Sequence, residues 1–289
     1  MPELSIVIPA KNEEKTLPGL LKSIKKQTFK DYEIIVSDAD SKDKTKEAAE
    51  SYGARVVKGG LPGPGRNRGA EAANGRYYLF LDADGELPSD KFLEENLAEM
   101  KRRGICAATT YIKPLSSKPI DHALLEICNA YNLIMEKLKP HAPGCCIFVK
   151  KHVHDELGGF DESLTLAEDH DYVQRAEKAG YRFRILRSQP VGVSVRRLEK
   201  DGRWGLAIKY LKSELHQMLY GKHETLPYDY VMGGDLEQSI KPRTLEKSLN
   251  DLVQQVLEAL DKEISLEKIS VKTKEKLIKI KDLIQYELK

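Results

Sequence analysis

Asp82 and Asp84 stand two residues apart, directly after the apolar run Tyr77–Leu81. Two carboxylates at that spacing, leaving a buried strand, can share one hard divalent cation such as Mg²⁺ or Mn²⁺. Such an ion keeps coordination places for phosphate oxygens. The same residues, followed by Gly85, also suit an ordinary solvated turn. A second acidic group, Glu168-Asp169-His170-Asp171, opens a helical pattern. The macrodipole favours acids there whatever their use, yet a carboxylate held in a partly dry cleft can act as a general base. Just upstream, Gly158-Gly159-Phe160-Asp161-Glu162 form a turn that could fix where these acids point. A third segment, Pro62-Gly63-Pro64-Gly65-Arg66-Asn67-Arg68-Gly69, combines glycines with two forked donors suited to phosphate. It lacks the G-x-x-x-x-G-K-[ST] spacing of a P-loop, and no G-x-G-x-x-G follows the first strand. By itself, 59–69 reads as a surface loop.

The elements that must position these groups alternate in type. Short apolar runs rich in β-branched or aromatic residues predict strands at 4–9, 32–37, 54–57 and 77–81. Between them, Leu17, Leu20, Leu21 and Ile24 have helical spacing, with Pro18 confined to the first turn. Ser41 is expected to open a second helix, which Gly53 ends. Strands that are apolar throughout predict an α/β fold with a mostly parallel sheet covered by helices on both faces. Ligands bind such sheets outside the carboxyl ends of the strands, where Pro9–Glu13, Asp38–Asp43 and Asp82–Glu86 all fall. Farther along, helices are expected at 122–138, 168–179, 204–219, 245–264 and 272–287. Strands are expected at 144–149 and 181–186, and a Pro/Gly-bearing linker at 222–243.

The whole chain has 289 residues, 47 Lys/Arg and 45 Asp/Glu. Near-neutral charge argues against a dedicated nucleic-acid binder, which needs a basic excess. Cys106, Cys128, Cys145 and Cys146 form neither a zinc pattern nor a disulfide framework, so a reducing compartment, the cytoplasm, is expected. The first residues have neither the basic region nor the long apolar core of a signal peptide. No stretch approaches the ~20 apolar residues of a spanning helix.

In order and spacing, these segments resemble the family 2 glycosyltransferases, which have the GT-A nucleotide-sugar-binding fold. The matching pieces are Ile6-Val7-Ile8-Pro9-Ala10-Lys11-Asn12-Glu13; Ile34–Asp38 followed by Ser41, Asp43 and Thr45; Gly65–Gly69; Phe80–Asp84; Gly159–Glu162; and Glu168-Asp169 with Arg175 and Gly180. They span about residues 4–186. The resemblance implies that Pro9, Ala10, Asn12 and Glu13 line the nucleotide pocket, with Glu13 near the ribose. Asp38 would contact the base, although Asp38-Ala39-Asp40-Ser41 departs from the family's two adjacent acids, which leaves Asp38 and Asp40 both open. Arg66 would lie near the base or the phosphates. Asp82, Ala83 and Asp84 would take the diphosphate, with Mg²⁺ or Mn²⁺ held by Asp82 and Asp84. Asp169 would be the general base of an inverting transfer, and Glu168 would set its position or pKa. No third metal ligand is identifiable; His170, His216 and His223 are candidates, though a structural or solvated role suits each better. Lys200–Trp204 lacks the Gln of the processive synthases' Gln-x-x-Arg-Trp.

The resemblance implies a UDP- or GDP-sugar as donor. On the acceptor side, residues 182–222 carry ten Lys/Arg against three acids. That excess suits an anionic surface or a phosphate, so a glycan or a polyprenyl-phosphate-linked acceptor is expected, the latter met at the inner face of the cell membrane. A stripe packed on the main domain explains the adjoining helix better, and the basic segment stays on the acceptor side. The expected organisation is a GT-A domain over 1–221, with a nucleotide half to about 115 and an acceptor half after it. A linker over 222–243 and a helical C-terminal appendage over 244–289 would follow, the appendage either packing on the core or pairing two copies of the chain. Two other functions remain open: a nucleotidyltransferase of similar architecture, against which Ala10–Glu13 counts because such enzymes place a Gly-rich, Arg-bearing loop there, and a non-catalytic nucleotide-sugar-binding protein.

Overall fold

The computed structural model describes residues 1–164 and 167–200. The described residues up to Val195 belong to one compact unit, and Arg196–Lys200, a short helix, to a second. The expected helices at 204–219, 245–264 and 272–287, the linker and the boundaries at 221 and 244 lie outside the described residues.

The sheet is built from β1 (Leu4–Ala10), β2 (Tyr32–Asp38), β3 (Arg55–Lys58), β4 (Tyr77–Leu81), β5 (Ala107–Pro114), β6 (Cys146–Lys150) and β7 (Phe183–Val193). Its order is β3-β2-β1-β4-β6-β5-β7. β6 runs antiparallel to both neighbours, and every other pairing is parallel. The helices are α1 (Leu17–Lys25), α2 (Thr45–Ser51), α3 (Pro62–Glu71), α4 (Phe92–Arg102), α5 (Pro119–Leu138), α6 (Lys151–Leu157) and α7 (Glu168–Lys178).

Period-two alternation divides the apolar strands between two cores. Leu4, Ile6 and Ile8 of β1 face a core completed by Leu17, Leu20 and Ile24 of α1 and by Phe92 and Met100 of α4. Val7 faces the other way, into a core with Ala70 of α3, Val153 of α6 and Tyr172 and Val173 of α7. Both sheet faces are therefore covered, as the unbroken apolar runs require.

Three expected features differ. Residues 62–71 are the helix α3, not a surface loop. Pro62 and Pro64 sit in its first turn, where the missing N–H groups cost nothing. Its glycines serve contact: a Cβ at Gly69 would lie 2.3 Å from Val7 Cγ1, so glycine lets α3 lie directly on β1. Ser41 does not open α2, which begins at Thr45. Instead the Ser41 hydroxyl accepts the Asn12 N–H (2.9 Å), and the Ser41 N–H donates to Asp38 (3.1 Å). β7 runs on past 186 to Val193, with a register break opposite Thr110 and Ile112. Pro190 is tolerated because β7 is an edge strand. α4, β5 and α6 were not anticipated.

An aromatic cluster lies beneath α7. Phe160 stacks on Tyr172 (4.1 Å between centroids) and meets Phe80 edge-on (5.0 Å). His154 is buried among Tyr78, Phe80 and Tyr172, with Nδ1 2.8 Å from the Tyr172 hydroxyl. Burial lowers the His154 pKa to about 4 from 6.5. Between those values the unfolded chain takes up a proton that the folded chain refuses, so this residue's contribution to stability falls as pH drops from 6.5 toward 4. Thermal unfolding should show a Tm loss across that window that is smaller in His154→Gln; an equal loss in both proteins contradicts the assignment.

Candidate active site

The carboxyl ends of β1, β2 and β4 lie along one sheet edge. Since β6 is antiparallel, its start meets the end of β4, with Leu81 opposite Cys146. The Asp82 N–H donates to the Cys145 carbonyl at 3.3 Å. Gly144 and Cys145, which carried no signal in the sequence, therefore stand beside the Asp-x-Asp pair.

At the β1 and β2 ends, the two loops are laced together. The Lys42 N–H donates to Asn12 Oδ1 (2.8 Å), the Glu13 N–H to Thr45 Oγ1 (2.8 Å) and the Glu14 N–H to Asp43 Oδ2 (3.0 Å). Glu13 is buried and accepts a hydrogen bond from the Thr16 hydroxyl. Asp38 and Asp40 separate clearly. Asp38 is buried, takes the Ser41 N–H and lies 3.3 Å from Lys46 Nζ, and its Oδ1 has no hydrogen-bond partner among the described residues. The Asp40 side chain is 80% exposed and pairs with Lys42. Asn12, Asp40 and Ala167 are the non-glycine residues with positive φ (53°, 60° and 58°) among those described. Such backbone is costly without glycine, and all three stand in loops of this edge.

α3 ties the two halves of the edge together. Arg66 is 2% exposed. Its Nη1 donates to Glu168 Oε1 (2.6 Å), and its Nη2 donates to Asp82 Oδ1 (3.1 Å) and the Gly144 carbonyl (3.0 Å). Its guanidinium lies 5.3 Å over the Phe160 ring, and its Nε lacks a hydrogen-bond partner among the described residues. Beside it, Asn67 Nδ2 donates to the Phe160 carbonyl (2.9 Å), and its Oδ1 accepts the Phe160 N–H (2.8 Å). Arg175 of α7 reaches back to the Leu157 and Gly159 carbonyls (2.8 and 2.7 Å). The motifs around 66, 160 and 168 thus form one clamp, although Arg66 and Glu168 are 102 residues apart.

Electrostatics follow from this packing. Burial would lower the Arg66 pKa, but Asp82, Glu168 and Asp169 outweigh it and raise it above its ordinary value. Burial and the like charge of Asp169 push Glu168 up, with Arg66 pulling back. Asp169 Oδ1 accepts the His170 N–H (2.8 Å). A Cβ on Gly144 would lie 2.7 Å from Asp169 Oδ2 and 2.9 Å from Arg66 Nη2, so the backbone at 144 threads between them. The Cys145 thiol is held in its neutral form by burial and by the carboxylates of Asp82, Asp84 and Asp169. Asp82 and Glu168 hold one guanidinium, and Asp169 Oδ2 lies close to Gly144, whose carbonyl the same guanidinium takes, so these acids share one locality.

Asp82 and Asp84 offer the hard oxygen donors that a divalent cation such as Mg²⁺ or Mn²⁺ takes. Among the described residues, no three His, Cys, Asp or Glu side chains group as a metal site. Asp82 and Asp84 would thus supply part of a shell that ligand oxygens complete, as Mg²⁺ and Mn²⁺ commonly accept. The His170 ring packs against His141 (4.4 Å), with Nε2 3.9 Å from Asp169 Oδ1. His216 and His223 lie outside the described residues. Of the basic segment, Arg182 donates to the Arg103 carbonyl and Arg184 pairs with Glu177, so these two already have internal partners. No described helix is long and apolar enough to cross a membrane.

The profile described as "Glycosyl transferase family 2" matches residues 5–158. The amylovoran biosynthesis glycosyltransferase AmsB of Erwinia amylovora is 28% identical over 214 residues, 65% of this chain and 67% of that protein. Two solved structures share the fold. The mannosyltransferase PcManGT from Pyrobaculum calidifontis, in complex with GDP-Man and Mn²⁺, has a TM-score of 0.62 at 18% identity, covering 75% of this chain and 64% of that one. S. aureus TarS in complex with UDP-GlcNAc has a TM-score of 0.54 at 23% identity, covering 67% and 59%. The chain spans about two thirds of AmsB but only 34% and 32% of two further curated relatives.

Arg66→Met should strand Glu168 beside Asp169 without its counter-charge and cost about 3–5 kcal/mol. Urea unfolding would read this, and adding Glu168→Gln should recover part of the loss. An unchanged midpoint in Arg66→Met would mean that the buried pair carries no weight.

Proposed function

Because the chain belongs to glycosyl transferase family 2, we propose that it transfers a sugar from a UDP- or GDP-sugar to an acceptor hydroxyl or phosphate, with inversion at the anomeric carbon. The observation that carries this reading is the gathering of Asp82 and Glu168 on one buried guanidinium, Arg66, with Asp169 Oδ2 close to Gly144 beside it. The nucleotide-sugar complexes of PcManGT and TarS support the donor class.

Pro9, Ala10, Asn12 and Glu13 line the nucleotide pocket, its shape fixed by the lacing of the two loops. Asp38 is the better placed of the two base-reading acids, since its buried Oδ1 awaits a donor. Asp40, exposed and paired to Lys42, sits at the rim. The diphosphate lies at Asp82-Ala83-Asp84. A divalent cation held there by Asp82 and Asp84, Mg²⁺ or Mn²⁺, supplies neutralisation of the charge that grows on the leaving phosphate. Asp169 takes the proton of the acceptor hydroxyl, whose oxygen bonds to the anomeric carbon as the bond from that carbon to the β-phosphate oxygen breaks. Attack and departure occupy opposite faces, so one base suffices. The likewise buried Glu168 limits the freedom of Asp169 through its place at the start of α7. The chain acts in the cytoplasm, where a glycan acceptor is free and a polyprenyl-phosphate-linked one is met at the inner membrane face.

Asp169→Asn should lower kcat by about 10²–10⁴-fold while the unfolding midpoint holds. Gly144→Ala, which forces Asp169 and Arg66 apart, should cost about 10²-fold. Products from UDP- and GDP-sugars with Mn²⁺ should include the nucleoside diphosphate. Release of pyrophosphate instead, or full turnover by Asp169→Asn, counts against the reading.

A further inference from the structure

Arg66 does not sit like a ligand-binding arginine. A side chain that grips phosphate presents its fork to the pocket. Here both terminal nitrogens already hold protein oxygens, and the residue is 2% exposed. One nitrogen serves Glu168, the residue before the base. The other serves Asp82, of the donor-side pair, and the Gly144 carbonyl. Gly144 is also the residue whose backbone abuts Asp169 Oδ2. The guanidinium plane is fixed by Phe160, which stacks on Tyr172 of α7, and its backbone is held by the neighbouring Asn67. These contacts come from α3, the end of β4, the start of β6 and the start of α7.

We propose that Arg66 is a positioning residue that sets the separation between the donor-binding aspartates and the base, acting through Asp82, Gly144 and Glu168 and not by touching the nucleotide. This rests on the transferase reading given above. A fork of parallel charge-assisted bonds fixes angle as well as distance. A lysine in its place keeps the charge but loses the fork, so it can neutralise the acids without holding them in register. Misplacing the base relative to the donor lowers kcat, whereas the bond to Asp82, a donor-side residue, reaches donor binding only indirectly, so kcat should fall much further than Kd weakens.

The test uses the full chain with Arg66→Lys and Arg66→Gln. It reads kcat and KM with a UDP- or GDP-sugar the wild type turns over, and the Kd of the matching nucleoside diphosphate with Mn²⁺ by calorimetry. Arg66→Lys should lose about 10²-fold in kcat, the scale of an ångström-sized misplacement, while KM and Kd change far less than kcat. Arg66→Gln should lose more, so that lysine is a partial rescue. Should Arg66→Gln fail to fold, Arg66→Gln with Glu168→Gln removes both buried charges and should again lose far more in kcat than in Kd. A Kd that weakens in step with kcat overturns the proposal, because it makes Arg66 a nucleotide contact, for instance through its unpartnered Nε. So does undiminished kcat in Arg66→Gln. A wild type that releases no nucleoside diphosphate from any donor overturns the transferase reading, and with it the premise of this one. The first two results, in an active wild type, strike the Arg66 proposal alone.

Discussion

A single buried guanidinium sets the arrangement of this molecule's acidic edge. Asp82, Glu168 and Asp169 crowd around it. Left alone, they would repel each other and resist burial. Arg66 brings one positive charge into their midst with bonds of 2.6–3.1 Å to Glu168, Asp82 and the Gly144 carbonyl. Most of what surrounds it exists to bring it there. Gly69 lets α3 sit on Val7 of β1, the paired prolines start α3 early, and the antiparallel β6 delivers Gly144 to the end of β4.

The opposite wall is held by a different force. Phe160, Tyr172, Phe80 and His154 form an apolar, ring-packed base under α7. Asn67 and Arg175 stitch the turn at 157–160 to α3 and α7 through backbone carbonyls. The two acids at the start of α7 are thus carried on a rigid support, and the helix N-terminus itself favours their charge. Hydrophobic packing fixes the helix, the ion-pair network fixes the acids, and the interlaced β1 and β2 loops shape the nucleotide side independently of both.

Part of this was legible in the residues. The runs at 4–9, 32–37 and 77–81 announced strands because a sheet covered on both faces needs apolar residues at every position, and the Asp-x-Asp pair at a strand's end follows from the same logic. The helical spacing in α1 was equally plain, and the stripe Phe92, Leu93, Leu97 and Met100 in α4 carries the same signal. Residues 59–69 misled because glycine and proline punctuate loops when judged locally. Here the glycines answer to neighbours far off in sequence, Val7 and Pro9 among them. The burial of Arg66 and the importance of Gly144 have no local signature at all, since both depend on Glu168 and Asp169 arriving from the far side of the fold. The apolar run that marks a strand stops at Leu186, and the continuation of β7 to Val193 shows only in its pairing with β5.

The central claim is that the donor-side aspartates and the base face each other across one cleft. A crystal structure with Mn²⁺ and an unreactive nucleoside diphosphate sugar tests it most directly. The ion should lie on Asp82 and Asp84, the diphosphate beside it, and Asp169 on the opposite face of the sugar, within about 2.6–3.2 Å of an acceptor oxygen or one water from it. A sugar lying with its diphosphate and Asp169 on the same face, or with protein between Asp169 and the anomeric carbon, would contradict it.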